Sequence, residues 1–155
     1  MRTFRRSIVS LALAASLTLA LGVASGSANL PAPKATGSGK DGYGLEFSFR
    51  AATPAAPVGH AQFETNSFGE PEGDVDCLAI QGRKAGLSGE METPTSGLTH
   101  FMIIVNDRRK RDGRIRDRVV TWMRSGPFDC ETEAFGSLSD SLKRLRKGDV
   151  RIVRD

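Results

Sequence analysis

The sequence predicts an all-β fold, a small antiparallel meander barrel of about seven or eight strands with one short helix near the C-terminus. Apolar and polar residues alternate with a period of two along most of the chain beyond residue 43, as they do in half-buried strands. Short breaks containing Gly or Pro separate these segments, and no βαβ rhythm is present. A two-sheet β-sandwich fits the same pattern, because periodicity does not distinguish it from a barrel.

Residues 1–28 have the pattern of a secretory signal peptide. Arg2, Arg5 and Arg6 precede an apolar segment, and small residues follow it before Asn29. The apolar segment is shorter than the roughly 20 residues that a membrane-spanning helix needs. We therefore expect cleavage, a secreted extracellular protein and no transmembrane anchor afterwards.

The rest of the chain divides into a linker and one domain. Residues 29–42 are rich in Pro, Gly, Ala and Ser and predict a flexible linker. Residues 43–155 then predict a single barrel-like domain, which is long enough for one core. The formal net charge of +4 falls close to zero once the signal arginines are removed, so the high pI does not indicate nucleic-acid binding.

Two segments that alternate between apolar and polar residues predict the first strands. Leu45, Phe47 and Phe49 share one face of the first segment, and Ala61 and Phe63 share one face of the second. The break between the segments contains two prolines. A hairpin joining the two strands is therefore expected.

The carboxylate-rich segment 70–76 leads into a third strand. In an extended chain Glu70, Glu72, Asp74 and Asp76 point the same way, about 6.5–7 Å apart. Calcium needs about six to eight oxygens that converge on one point, and a straight strand makes its carboxylates diverge. We interpret these side chains as a solvated entry to the strand, and we expect no metal site.

Further strands follow to the C-terminus. Leu78 and Ile80 interrupt the alternation, which indicates either a β-bulge or a strand that is apolar on both faces. Gly82 marks a tight turn after this strand. The remaining predicted strands are residues 85–91, 98–107, 117–124 and 149–155.

One helix is predicted near the C-terminus. Leu138, Leu142 and Leu145 recur at helical spacing, with Ser139 as a possible N-cap and Gly148 just past the end.

The chain contains two cysteines, Cys77 and Cys130. An exported protein folds in an oxidising compartment, which favours their pairing. Two isolated cysteines without nearby histidines are poor zinc ligands. We therefore predict a structural disulfide between Cys77 and Cys130.

A set of motifs in a fixed order resembles a family of small secreted bacterial β-barrel-like proteins of unknown function. The resemblance implies a signal peptide, two spaced cysteines and an antiparallel barrel-like meander, and it supplies no catalytic residues. The chain departs from that family in its basic loop and in the predicted leucine-containing helix. The motifs are GHAQF (59–63), GDVDCLAIQGRKAGLSGEM (73–91), FMIIVND (101–107), DRVVTW (117–122), DC (129–130) and GDVRIVRD (148–155).

Positive charge is concentrated in the C-terminal half. Residues 61–93 hold two basic and seven acidic residues, whereas residues 94–155 hold fourteen basic and nine acidic ones. The segment 107–118, together with the basic residues of 143–147, is a candidate site for anionic polymers or anionic surfaces. It lacks the interleaved aromatics that stack nucleobases, so no specific nucleic acid is expected. The candidate anion-binding residues are Arg108, Arg109, Lys110, Arg111, Arg114 and Arg116.

The sequence offers few residues for catalysis. His60 and His100 are the only groups whose ordinary pKa suits a general base near neutral pH. His100 and Glu46 are candidate cavity residues for isomerase or cyclase chemistry in a barrel, without a motif to support them. We expect no catalytic residues, metal or cofactor.

The leading hypothesis is an exported, non-enzymatic binding protein. Its ligand would be an apolar small molecule inside the barrel or an anionic envelope component on the basic surface. The alternatives are a cavity enzyme and a structural protein of the envelope.

Overall fold

The computed structural model describes residues 32–53, 58–65, 69–108 and 117–154, so the predicted signal peptide lies outside the described residues. Within these ranges the fold is all-β, with nine antiparallel strands, one short α-helix and one 3-10 turn. The strands are β1 (Lys34–Lys40), β2 (Glu46–Ala52), β3 (Gly59–Glu64), β4 (Glu72–Gln81), β5 (Lys84–Thr95), β6 (Leu98–Asn106), β7 (Arg118–Arg124), β8 (Lys143–Arg144) and β9 (Lys147–Val153), and the helix is α1 (Cys130–Phe135).

The strands form one curled half-barrel sheet in the order β8-β7-β6-β5-β4-β3-β2-β1-β9. Consecutive strands are therefore neighbours from β1 to β8, and β9 pairs with β1. This arrangement confirms the predicted antiparallel meander with a short helix near the C-terminus. The described sheet has more strands than predicted because β1 and the two-residue β8 were not expected.

Strand β1 corrects the prediction of a flexible linker over residues 29–42. Lys34–Lys40 pair with β2 on one side and with β9 on the other. A Cβ added to Gly37 would lie 2.8 Å from the Phe49 ring, and one added to Gly39 would lie 2.1 Å from the Lys147 carbonyl oxygen. The glycines that suggested a linker therefore let neighbouring groups approach the strand closely.

A β-bulge lies in β4, as one of the two alternatives for this strand predicted. The register with β5 shifts between Val75 and Cys77. Val75 and Leu78 consequently belong to one hydrophobic core, whereas Cys77 and Ala79 belong to another. The extra residue explains why the alternation of the sequence changes phase at this point.

The sheet has a hydrophobic core on each face. The inner core lies inside the curled sheet and contains Phe47, Phe49, Phe63 and Phe101, and the rings of Phe63 and Phe101 meet edge to face at 5.2 Å. The outer core lies beneath α1 and comprises Ala79, Met102, Ile104, Val120, Cys130, Ala134 and Leu142. Strand β6 is apolar on both faces because it contributes to both cores.

The predicted position of the helix was wrong. Helix α1 begins after Asp129, whose carboxylate accepts hydrogen bonds from the backbone N–H groups of Glu131 and Thr132 at 3.1 and 3.0 Å. Leu142 is buried in the outer core and Leu145 in the inner core. One helical stripe cannot reach opposite faces of a sheet, so Leu142 and Leu145 belong to an extended segment, whereas Leu138 lies in the 3-10 turn (Ser137–Ser141).

The disulfide between Cys77 and Cys130 is confirmed, with a Cα–Cα distance of 6.2 Å. It attaches the start of α1 to the bulge of β4 and so fixes the helix over the outer core. Among the described residues, no helix combines the length and the apolar character needed to cross a membrane.

Candidate anion-binding site

Two carboxylates join the free edge of β9 to the region between β6 and β7. Asp117 Oδ2 accepts a hydrogen bond from the N–H of Val150 at 3.0 Å, and Asp107 Oδ2 accepts one from the N–H of Ile152 at 3.2 Å. We call these four residues the carboxylate bridge. It satisfies strand-edge donors that would otherwise be unpaired, and it brings the two ends of the sheet order together.

Asp117 is the buried carboxylate of the bridge, with 2 % of its surface exposed. Its other oxygen accepts a hydrogen bond from the N–H of Arg108 at 2.7 Å. Burial raises the pKa of Asp117, the hydrogen bonds from Val150 and Arg108 lower it, and the nearby charges of Asp107 and Asp149 raise it further. The net effect is a raised pKa, because the cost of removing water from the charged carboxylate exceeds the stabilisation that its two backbone hydrogen bonds provide.

Arg83 holds Asp107 in place through both its side chain and its backbone. The guanidinium Nη2 of Arg83 lies 2.7 Å from Asp107 Oδ1, and its Nε donates to the Asp107 backbone carbonyl. The carboxylates of the bridge are thus occupied by backbone N–H groups and by Arg83.

Basic residues lie next to the carboxylate bridge along the chain and on the strands at both ends of the sheet order. Arg118 and Arg144 lie directly opposite each other on β7 and β8, and Lys40 and Lys147 do so on β1 and β9. The backbone N–H of Arg146 donates to the Lys40 carbonyl at 2.9 Å, which joins the two groups. We call the set the basic strip, and it consists of Lys40, Arg108, Arg118, Lys143, Arg144, Arg146 and Lys147.

The electrostatics of the basic strip favour anions. Its members are exposed, apart from the half-buried Lys40, whose Nζ pairs with Glu46 at 3.1 Å. Like charges directly opposite each other in adjacent strands are destabilising, as Arg118 and Arg144 are. Lysine ammonium and arginine guanidinium groups donate charge-assisted hydrogen bonds to anions, so the strip is chemically suited to phosphate, sulfate or carboxylate groups.

A polar groove of about 540 Å³ adjoins one end of the basic strip. It carries both signs of charge, with lysines on one side and glutamates on the other, so it does not select anions by itself. The side chains that line it include Lys40, Lys147, Glu46, Glu64, Glu70 and Glu72.

The structure brings together some of the predicted anion-binding residues. Arg108 belongs to the basic strip, whereas Arg109, Lys110, Arg111, Arg114 and Arg116 lie outside the described residues. The basic residues of segment 143–147 also belong to the strip, although they lie on strands and a connection rather than in the predicted helix.

The two candidate cavity residues do not face the inner core. Glu46 precedes the buried Phe47 and pairs with Lys40 at the groove, and His100 precedes the buried Phe101 and lies 2.8 Å from Thr99 Oγ1. In each strand the side chains alternate, so the neighbour of an inward phenylalanine points outward. Strands β3, β4 and β5 separate the strands that carry these two residues.

Sequence reasoning included Arg118 in the basic segment 107–118, but it missed Lys40 as part of the site and assigned no structural role to Asp117. Asp117 is the first residue of a predicted strand, which is a common place for a solvated residue. Its role depends on β9, more than thirty residues away in the chain. Only the β1–β9 pairing places Lys40 beside the C-terminal cations, and no local signal indicates that pairing.

No protein-family model, curated protein or solved structure matches this chain. The resemblance to a secreted bacterial family therefore remains a prediction.

Proposed function

We propose that this protein is an exported, non-enzymatic binding module that holds an anionic polymer of the cell envelope on its basic strip. Export rests on the signal-peptide pattern of residues 1–28, and the disulfide is consistent with an extracellular location.

The observation that carries the proposal is the convergence of cations from separate parts of the chain. Strands β1, β7, β8 and β9 each contribute at least one exposed or half-buried lysine or arginine to the strip. Strand positions hold these charges at fixed spacings, so a polymer with regularly repeated charges can contact several of them at once.

The inner core favours surface binding over an apolar ligand inside the barrel. Four phenylalanine rings lie there, each at most 5 % exposed. An apolar ligand would have to displace these packed side chains, whereas an anionic polymer needs only the exposed strip. The enzyme alternative lacks a shared site, because Glu46 and His100 lie on strands that are not neighbours.

Retention on immobilised heparin, measured as a function of salt concentration, tests the proposal. We expect the double variant Lys143→Gln/Lys147→Gln to elute at lower salt than the wild type. The slope of log affinity against log salt should fall by roughly 0.7–0.9 for each cation that contacts the polymer.

The matched control removes the same charge elsewhere. Lys34 and Lys84 lie on β1 and β5 and are not part of the strip, so Lys34→Gln/Lys84→Gln should elute close to the wild type. Equal weakening in both double variants would indicate a general charge effect and reject the strip. Equal retention on neutral dextran beads would likewise reject anion recognition.

A further inference from the structure

A second cluster of charged side chains lies on β3, β4 and β5, away from the basic strip in the strand order. One ring nitrogen of His60 and one carboxylate oxygen each of Asp74 and Glu92 all lie within 4.8 Å of one another. His60 and Asp74 are direct cross-strand partners, whereas Glu92 lies on the next strand. This pairing combines one residue of the carboxylate-rich segment with a histidine and a glutamate distant in sequence.

The imidazole of His60 lies between two carboxylates. Its Nδ1 is 3.4 Å from Asp74 Oδ1, and its Nε2 is 3.6 Å from Glu72 Oε2. Glu72 is positioned in turn by Gln62, whose Nε2 donates to Glu72 Oε2 at 3.0 Å. Metal-binding histidines commonly donate the ring nitrogen that does not bind the metal to a carboxylate, and Glu72 is the carboxylate nearest that position here, at 3.6 Å and so just outside hydrogen-bond distance.

Negative charge accumulates around the same histidine. Asp74 lies directly opposite Glu90 on β5, so two like charges are cross-strand partners. Such pairs are unfavourable in isolation. Arg50 is the cross-strand partner of His60 on β2 and supplies one positive charge at the edge of the cluster. A divalent cation would neutralise the remaining carboxylates.

We propose that His60, Asp74 and Glu92 bind a divalent transition-metal ion of the Zn²⁺ class. One imidazole nitrogen and two carboxylate oxygens are a donor set that suits zinc, with water as a fourth ligand. Calcium and magnesium prefer oxygen ligands alone, so the histidine is what distinguishes this site from an ordinary acidic surface. Glu72 would be a positioning residue that accepts a hydrogen bond from the second ring nitrogen. This site is independent of the proposed anion binding.

The ligands need only small movements to coordinate an ion. Zinc lies about 2.0–2.2 Å from nitrogen and oxygen ligands, so tetrahedral ligand atoms are roughly 3.4 Å apart. The present separations reach up to 4.8 Å, and all three side chains are at least partly exposed. Side-chain rotation without backbone change is therefore sufficient.

Isothermal titration calorimetry of the chelator-treated mature protein, with ZnCl₂ and separately with CaCl₂, tests this site. We expect zinc to bind with a stoichiometry of about one, and His60→Ala and Glu92→Gln to weaken zinc binding at least about tenfold. Glu72→Gln should weaken it by about tenfold through the second ring nitrogen. Cobalt substitution should give visible absorption bands that disappear in His60→Ala.

The matched control is His100→Ala, which removes the other histidine of the mature chain and should change zinc affinity less than twofold. Circular dichroism checks that each variant is folded. Absence of zinc binding by the wild type would overturn the proposal. Equal zinc affinity in His60→Ala and the wild type would also overturn the proposal. So would calcium binding as tight as zinc binding, because the cluster would then be an acidic surface without metal specificity.

Discussion

The carboxylate bridge makes a specific prediction about stability, which the substitution Asp117→Ala tests. Removing the carboxylate leaves the N–H groups of Val150 and Arg108 without their acceptor. Hydrogen bonds to a charged group contribute about 1.5–3 kcal/mol each. The regained solvation of a buried carboxylate offsets part of that loss, as the raised pKa of Asp117 indicates. We therefore expect the free energy of unfolding to fall by about 2–4 kcal/mol at pH 7.

A second substitution separates the hydrogen bonds from the charge. Asp117→Asn keeps one acceptor oxygen and removes the buried charge, so we expect a smaller loss of about 1–2 kcal/mol. If the alanine variant does not fold, the asparagine variant keeps the prediction testable.

Urea denaturation of the oxidised protein measures these free energies, and amide hydrogen exchange of Val150 reports on the bridge itself. Asp140→Ala is a matched control because Asp140 is an exposed aspartate in the 3-10 turn, and it should change stability by less than about 0.5 kcal/mol. A loss below about 0.5 kcal/mol in Asp117→Ala, together with unchanged protection of the Val150 amide, would refute the role of the bridge.

Three further predictions concern other parts of the fold. Replacing Cys77 and Cys130 by alanine opens a crosslink across 53 residues and should lower the free energy of unfolding by about 4 kcal/mol, after which a reducing agent should have no effect in urea denaturation. Gly86→Ala places a Cβ 2.1 Å from a side chain of α1 and should cost about 1–3 kcal/mol in the same assay, whereas Gly126→Ala meets nothing within 4 Å and should be near neutral. The folded pKa of Asp117 is raised above its ordinary value of 3.8, so the stabilisation that comes from protonating Asp117 in the folded state is fully present below pH 3.8 and is lost as pH rises through the raised value. The hydrogen bonds to the carboxylate remain at pH 7, so the stability difference between wild type and Asp117→Asn should narrow from pH 3 to 7 without vanishing. A constant or widening difference would contradict the raised pKa.

The strand positions could be predicted because burial on one face leaves a period-two signal. Phe47, Phe49 and Phe63 are inward in the structure, as their alternation indicates. The change of phase at Leu78 predicted the bulge as one of two alternatives, and the disulfide was predicted from two cysteines in a chain that begins with a signal-peptide pattern. These features depend on local pattern or composition, which a single sequence contains.

The predictions that were wrong concern features that depend on contacts between distant segments. Gly37 and Gly39 lie in a strand because β2 and β9 cover it, although their composition is typical of a linker. Leu142 and Leu145 have helical spacing, but they are buried on opposite faces of the sheet. The candidate sites share this property, because cross-strand register alone places Arg118 beside Arg144 and His60 beside Asp74.

The opposed pair of Arg118 and Arg144 permits a test that couples stability to binding. If the basic strip serves binding at the expense of stability, Arg118→Gln should relieve the repulsion between Arg118 and Arg144 and stabilise the protein by about 0.2–1 kcal/mol. The same substitution should weaken retention on heparin, because it removes one cation from the strip. Urea denaturation and salt-dependent elution of a single preparation measure both effects. If Arg118 served only the fold, its substitution would lower the free energy of unfolding of the protein. A less stable Arg118→Gln variant with unchanged heparin retention would therefore contradict both the repulsion and the anion-binding role of Arg118.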